Sequence, residues 1–215
     1  SPASDVWSFT AMADPTIVVF PWVEDFGTVT GDWPVLNWSQ LSGLYPTPTG
    51  TSTQWYRDDW VNGPSGNNAA KINIYGTSKN GWLVTPPIAI PTTGYELKFD
   101  LGLTDFASTS PIEFPTGQAD DKFIVLIADN PEMTGATPLR LWDNDTSEYV
   151  YNEIPNTGTT VILDLDSYVG TYYFAFYGES TVSVTGEDND LFVDNVTVRE
   201  TPSLPIISVS PDSWD

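Results

Sequence analysis

Short apolar or alternating runs recur along this chain, and each is bounded by glycine, proline, asparagine or aspartate. Helix-period spacing is nearly absent. The runs are rich in Val, Ile, Thr, Tyr and Phe, the residues that suit a pleated, half-buried surface. The punctuation is dense, with 16 Gly and 18 Pro. A strand cannot bury its apolar face alone, so this pattern restricts the chain to paired strands in packed sheets. Strand candidates are Ala70–Tyr75, Gly81–Ile90, Tyr95–Leu101, Lys122–Ala128, Leu139–Trp142, Thr159–Leu165, Gly170–Tyr177 and Leu191–Arg199. With the opening run, this set predicts an all-β chain: an antiparallel two-sheet β-sandwich with jelly-roll topology.

The edges of the chain read differently from its middle. Asp5–Thr10 alternates like a strand and is followed by the loose Ala11–Pro15; it resembles the closing strand of a fibronectin type III sandwich. The main run begins at Thr16-Ile-Val-Val-Phe-Pro-Trp-Val-Glu-Asp-Phe26. Thr201-Pro-Ser-Leu-Pro205 is a linker, and Ile206–Asp215 resembles the first strand of an immunoglobulin-like repeat. The expected division is therefore 1–15 as an end strand and linker, 16–200 as the central domain, and 201–215 as a linker and the start of a following domain. Between residues 31 and 68 lies a Gly/Pro/Thr/Ser-rich stretch with Trp33, Trp38, Trp55 and Trp60. It is too long for a plain connection and is expected to carry ordered loops.

Charge sets the partners. The chain has 29 Asp+Glu against 7 Lys+Arg, a formal net charge of −22. Such a surface repels phosphate backbones and anionic membranes, so nucleic acid is excluded as a partner. No apolar run reaches the roughly 18 residues of a membrane span, which excludes membrane insertion by a helix. Oxygen-seeking Ca²⁺ is the natural counter-ion, although most of the acids are read as a solubilising surface. Cys and His are both absent. Thiolate chemistry, disulfides and the usual general base go with them. Acids abound, but nothing in the sequence marks one pair as tuned for catalysis, so an enzyme is not expected.

Four segments carry a family resemblance: Trp22-Val-Glu-Asp-Phe26; Gly81-Trp-Leu-Val-Thr-Pro-Pro-Ile-Ala-Ile-Pro91 leading into Tyr95-Glu-Leu-Lys-Phe99; Asp120-Asp-Lys-Phe-Ile-Val-Leu-Ile-Ala128; and Thr171–Phe176 with Leu191–Val198. In this order they resemble the cleaved-adhesin family, the jelly-roll module of gingipain adhesin regions, similar in form to the extracellular MAM domain. The resemblance implies a calcium-stabilised binding or adhesion module of a secreted or cell-surface bacterial protein. Its partner would be a host or matrix protein, or a glycan, and the isolated domain would be a monomer. Family members carry an Asp/Gly-rich loop after the opening strand. Here Leu36–Tyr45 contains no acid, and Arg57-Asp-Asp-Trp60 is the substitute on offer.

The matching acids for Ca²⁺ are Glu24 on the opening strand and Asp194 on the closing one, with Asp25, Asp120 and Asp121 as additions. Alternation of side chains favours Glu24 over Asp25. Thr185–Asp190 and Asp143–Asp145 read as solvated hairpin tips. Trp55, Tyr56 and Trp60 have the composition of a sugar-stacking platform. The competing and preferred reading is that Trp55 and Trp60 cap the core. Tyr149 and Tyr151 form a possible exposed aromatic pair with the same ambiguity. A carbohydrate-binding module is therefore the alternative function.

Overall fold

In the computed structural model the described residues are 14–27, 33–112, 121–145, 148–181 and 188–203. Among them no α-helix occurs. The strands are β1 (Trp22–Glu24), β2 (Ser39–Ser42), β3 (Gly50–Thr51), β4 (Trp55–Asp59), β5 (Asn68–Ile74), β6 (Lys79–Val84), β7 (Ile88–Ile90), β8 (Tyr95–Asp105), β9 (Lys122–Ala128), β10 (Thr137–Asp143), β11 (Thr159–Asp164), β12 (Gly170–Ser180) and β13 (Asn189–Glu200). They form two antiparallel sheets. The first runs β11-β8-β13-β5-β4, with β1 added on β13; the second runs β10-β9-β12-β6-β2-β3, with β7 added on β12. The chain passes repeatedly between the two sheets, as from β8 to β9, from β10 to β11 and from β12 to β13. This is the two-sheet jelly roll expected from the sequence.

The inward faces share one core. Leu97, Phe99, Leu101 and Leu103 project inward from β8, and Phe123, Val125 and Ile127 from β9. Phe174 and Phe176 meet them from β12. Phe99 lies edge-on to Phe176 with ring centroids 5.2 Å apart. Each ring buried in this way contributes roughly 1.5–3 kcal/mol. A second apolar cluster lies on the outer face of the second sheet, where Trp82 and Tyr177 are buried beneath Tyr45. Trp82 Nε1 donates to the Gly43 carbonyl at 2.7 Å. This face is thus closed by the chain's own loop.

Four expectations change. Gly81–Ile90 is two strands, because Pro86 and Pro87 lack the N–H needed to continue a ladder; β6 and β7 both pair with β12. The stretch from 31 to 68 holds three strands as well as loops. Asp190 is not part of a solvated hairpin tip: Ser180 ends in one sheet, Asn189 begins in the other, and Asp190 is fully buried. Asp143–Asp145 likewise leaves a strand whose successor lies in the opposite sheet, so no hairpin exists there. The expected end strand at 5–10 and the following segment from 206 onward lie outside the described residues, as does Asp120.

Candidate functional site

The outer face of the first sheet carries the unusual chemistry, and β13 organises it. Leu191 and Val193 face the core, and so do Val196 and Val198. The inward pairs are separated by three positions rather than two, so period-2 alternation breaks once. The pairing register against β8 shifts between Asp194 and Thr197, and Asn195 adopts φ 50. Asparagine tolerates this left-handed conformation better than most residues. The bulge holds Asp194 and Asn195 together on the strand while both flanking valines remain inward.

Before the bulge, Asp190, Phe192 and Asp194 share the outer face. Two of the three are aspartates with no measurable exposure, and their surroundings differ. Asp190 Oδ2 takes the Lys71 ammonium at 2.8 Å. It also accepts from Asn62 Nδ2 and from the Ala107 N–H, each at 2.9 Å. Lys71 Nζ completes its three donations with Asp58 Oδ2 and Asn62 Oδ1, each at 3.0 Å. Burial pulls the Lys71 pKa down, but the hydrogen bonds to Asp190 and Asp58 outweigh it and hold the group above the usual lysine value. This network ties down the 3-10 turn Trp60–Asn62, which lies over the sheet.

Asp194 has no such cation. Among the described residues no lysine or arginine pairs with it. Its partners are the Asn195 N–H at 2.7 Å, Asn67 Nδ2 at 3.2 Å and Asn195 Nδ2 at 3.3 Å. Directly across the ladder stands another acid, Asp100 of β8. Burial pushes the Asp194 carboxyl up to about 6; the amide hydrogen bonds oppose this, and the charges of Asp100 and Asp25 add to it. Like charges placed opposite each other in a sheet are destabilising.

The sequence candidates fall into separate places. Glu24 is half-buried and faces Val196 across the β1–β13 ladder. Its Oε1 accepts the Phe26 N–H at 2.9 Å, and burial raises its pKa. Asp25, one residue past the end of β1, is the acid of this segment whose charge bears on Asp194. The alternation rule does not govern it, because β1 ends at Glu24. Asp121 is buried and accepts from Asn189 Nδ2 at 3.1 Å. Asn189 lies about 16 Å from Asp194 at ~3.3 Å per strand residue. The structure therefore does not bring Asp121 to Asp194. Asp58 and Asp59, offered as a substitute loop, belong to β4; Asp58 is committed to Lys71.

The aromatic residues also separate. Trp55 is a core residue with no exposure, and its Nε1 donates to the Gly81 carbonyl at 2.9 Å. Tyr56 lies on the outer face opposite Lys71, whose ammonium stands 5.5 Å from its ring centroid. Tyr151 is not exposed: it is fully buried and donates to Asn189 Oδ1 at 2.7 Å. Tyr149 is half-buried, with the Arg140 guanidinium 4.5 Å from its ring centroid. Trp60 is half-buried and meets Phe192 edge-on at 6.1 Å.

Trp60 is seated on glycine. A Cβ at Gly158 would stand 2.4 Å from Trp60 Cζ2, and Gly158 also has φ +81. Gly76 has a similar φ of +83 with open space around it, so it isolates the conformational cost alone. Gly158→Ala is expected to lose more melting temperature than Gly76→Ala. The excess should be roughly 1–3 kcal/mol of overpacking against Trp60. Equal losses in the two variants would show that Trp60 is not fixed where the structure places it.

The fold and this face together define a jelly-roll module with an acid pair and one half-exposed tryptophan on its outer sheet. The structure is similar to the K1 cleaved adhesin domain of Lys-gingipain from Porphyromonas gingivalis, at 14% identity over 83% of this chain and 97% of that one, with a TM-score of 0.53. The K3 cleaved adhesin domain of Lys-gingipain matches at 15% identity over 83% and 98%, with a TM-score of 0.49. A xylan-binding module matches at 11% identity over 86% and 99%, with a TM-score of 0.42. No protein-family model and no curated protein sequence matches this chain. The adhesin-type jelly roll read from the four segments is thus present as a fold.

Proposed function

We propose that this chain is a non-catalytic binding module of a secreted or cell-surface protein, with an adhesin-type jelly roll stabilised by Ca²⁺ at Asp194. The observation that carries the cation is the contrast along β13. Two aspartates on one face of one strand are both fully buried. Asp190 has Lys71 at 2.8 Å, and Asp194 has only amides and a facing acid. An ionised carboxylate buried without a counter-charge is costly, and a bound cation would offset that cost.

Ca²⁺ takes six to eight oxygens at flexible geometry. The candidates here are the carboxylates of Asp194, Asp25 and Asp100, the side-chain carbonyls of Asn67 and Asn195, and nearby backbone. Among the described residues no three acids stand ready-made as a cage. Neutral oxygens and water would therefore complete the shell. The role is structural, tying the segment after β1 to the closing strand β13. The similarity of the fold to a cleaved adhesin domain supports the binding-module reading. A host or matrix protein, or a glycan, remains the class of ligand, and the alternative is a carbohydrate-binding module of a polysaccharide-degrading enzyme.

Thermal denaturation with CaCl₂ and with a chelator tests the cation. At about a hundredfold excess over its dissociation constant, a native-state ligand adds about 2.7 kcal/mol. For a chain of this size that raises the melting temperature by roughly 5–10 °C. An unchanged melting temperature would remove Ca²⁺ from the proposal.

A further inference from the structure

Of the sugar-platform segment identified from the sequence, Trp55 lies in the core and Tyr56 is exposed on the outer face beside Lys71, which leaves Trp60 as the half-buried ring. It borders a cavity of about 240 Å³ lined by Trp60, Asp100, Thr157, Gly158, Thr159 and Thr160. The lining is an indole, a carboxylate and threonine hydroxyls, with no aliphatic residue beyond the threonine methyls. An apolar ligand would find too little surface there. An anion would meet Asp100, Asp194 behind it, and a chain of net charge −22. A neutral polyhydroxylated ring suits all three kinds of wall. Its C–H face can lie against the indole, and its hydroxyls can both donate to the carboxylate and exchange hydrogen bonds with threonine. The volume falls below the ~300–1,000 Å³ typical of sites that enclose whole drug-sized ligands. One ring of a longer chain is what it accommodates.

The cavity also touches the acid pair. Asp100 lines it and pairs across the ladder with Asp194. Asp100 Oδ1 accepts from Thr160 Oγ1 at 2.6 Å, and Oδ2 accepts from Asn195 Nδ2 at 2.9 Å. Asn195 is the bulge residue beside Asp194, so any group that organises the bulge also orients the Asp100 carboxylate. We propose that this cavity binds one sugar ring of a neutral glycan, and that its occupancy is coupled through Asp100 and Asn195 to the cation at Asp194. The coupling rests on the calcium reading above. It is reciprocal: Ca²⁺ tightens glycan binding, and the glycan tightens Ca²⁺ binding by the same factor.

Calorimetric titration with soluble neutral oligosaccharides (cello-, manno-, xylo- and laminari-series) tests this. Each is run with saturating CaCl₂ and with chelator, against the wild-type chain and a Thr157→Val/Thr159→Val variant. Both threonines are exposed, and valine keeps their shape, so the variant should melt with the wild type. Saturable one-site binding of at least one series is expected. It should weaken roughly tenfold in the variant, as the loss of one or two hydrogen bonds implies, and weaken again in chelator. No saturation across the panel would overturn the site, as would binding that the variant leaves unchanged. Equal affinity with Ca²⁺ and with chelator would overturn the coupling. A melting temperature that rises with Ca²⁺ while no glycan binds would sink this inference and leave the calcium reading standing.

Discussion

Asp194→Asn is expected to raise the melting temperature of the calcium-free protein at neutral pH and to remove its response to Ca²⁺. In the folded chain the carboxyl is pushed up to about 6, from an ordinary value of 3.8, chiefly by burial. The folded state therefore holds the proton more tightly than the unfolded one between those two values. By linkage, this group costs nothing below about pH 4, costs increasingly as pH rises, and reaches its full cost above about pH 6. A shift of about two pH units is worth about 3 kcal/mol. Asparagine keeps the shape and the Oδ1 that accepts the Asn195 N–H, but carries no charge and gives up the Oδ2 that accepts from the Asn67 and Asn195 side-chain amides, which offsets part of the gain. In chelator the variant should melt up to roughly 5–10 °C above wild type at pH 7 and level with it near pH 4. In Ca²⁺ the gap should close, because the ion needs the ionised carboxylate and raises only the wild type, by a similar amount. Parallel pH profiles for the two proteins would mean that Asp194 is not the uncompensated group described here.

The second large effect lies four residues upstream on the same face. Lys71→Met removes the ammonium that pairs with Asp190 at 2.8 Å and frees one side of the Asn62 amide. Breaking a buried pair from one side typically costs about 3–5 kcal/mol, because the remaining charge stays buried. A fall of about 10 °C or more in melting temperature is expected. Lys71→Met/Asp190→Asn should recover more than half of it, since no charge is then left behind. If the double variant melts no higher than the single one, the loss comes from disturbed packing under Trp60–Asn62 rather than from the exposed need of Asp190 for a cation. The two aspartates are thus expected to respond oppositely to neutralisation: Asp190 is compensated by Lys71, and Asp194, which pairs with no lysine or arginine among the described residues, is where the cation is proposed.

Much of the fold was legible because β8 alternates cleanly, β9 is an unbroken apolar run buried on both faces, and turn residues punctuate the strands. The break at Pro86-Pro87 was also readable, since prolines end a ladder. The three-residue gap between Val193 and Val196 was a further sign: it marks the bulge, and with it the site. Other features were not local. The partner of Asp190 is Lys71 on β5, and only the sheet order brings them together. Trp55 and Trp60 have similar neighbours in sequence, yet one points into the core and the other lies across the sheet. That difference depends on where β4 stops. The same holds for Glu24 and Asp25. Alternation selected Glu24, but β1 ends there, and the charge of Asp25 is the one that reaches Asp194.

The most direct test is a calorimetric titration of chelator-stripped protein with CaCl₂, run on the wild type and on Asp194→Asn. Saturable binding in the wild type, with one site fewer in the variant, is the expected result. Identical isotherms for the two proteins, or no binding to either, would contradict a cation at Asp194.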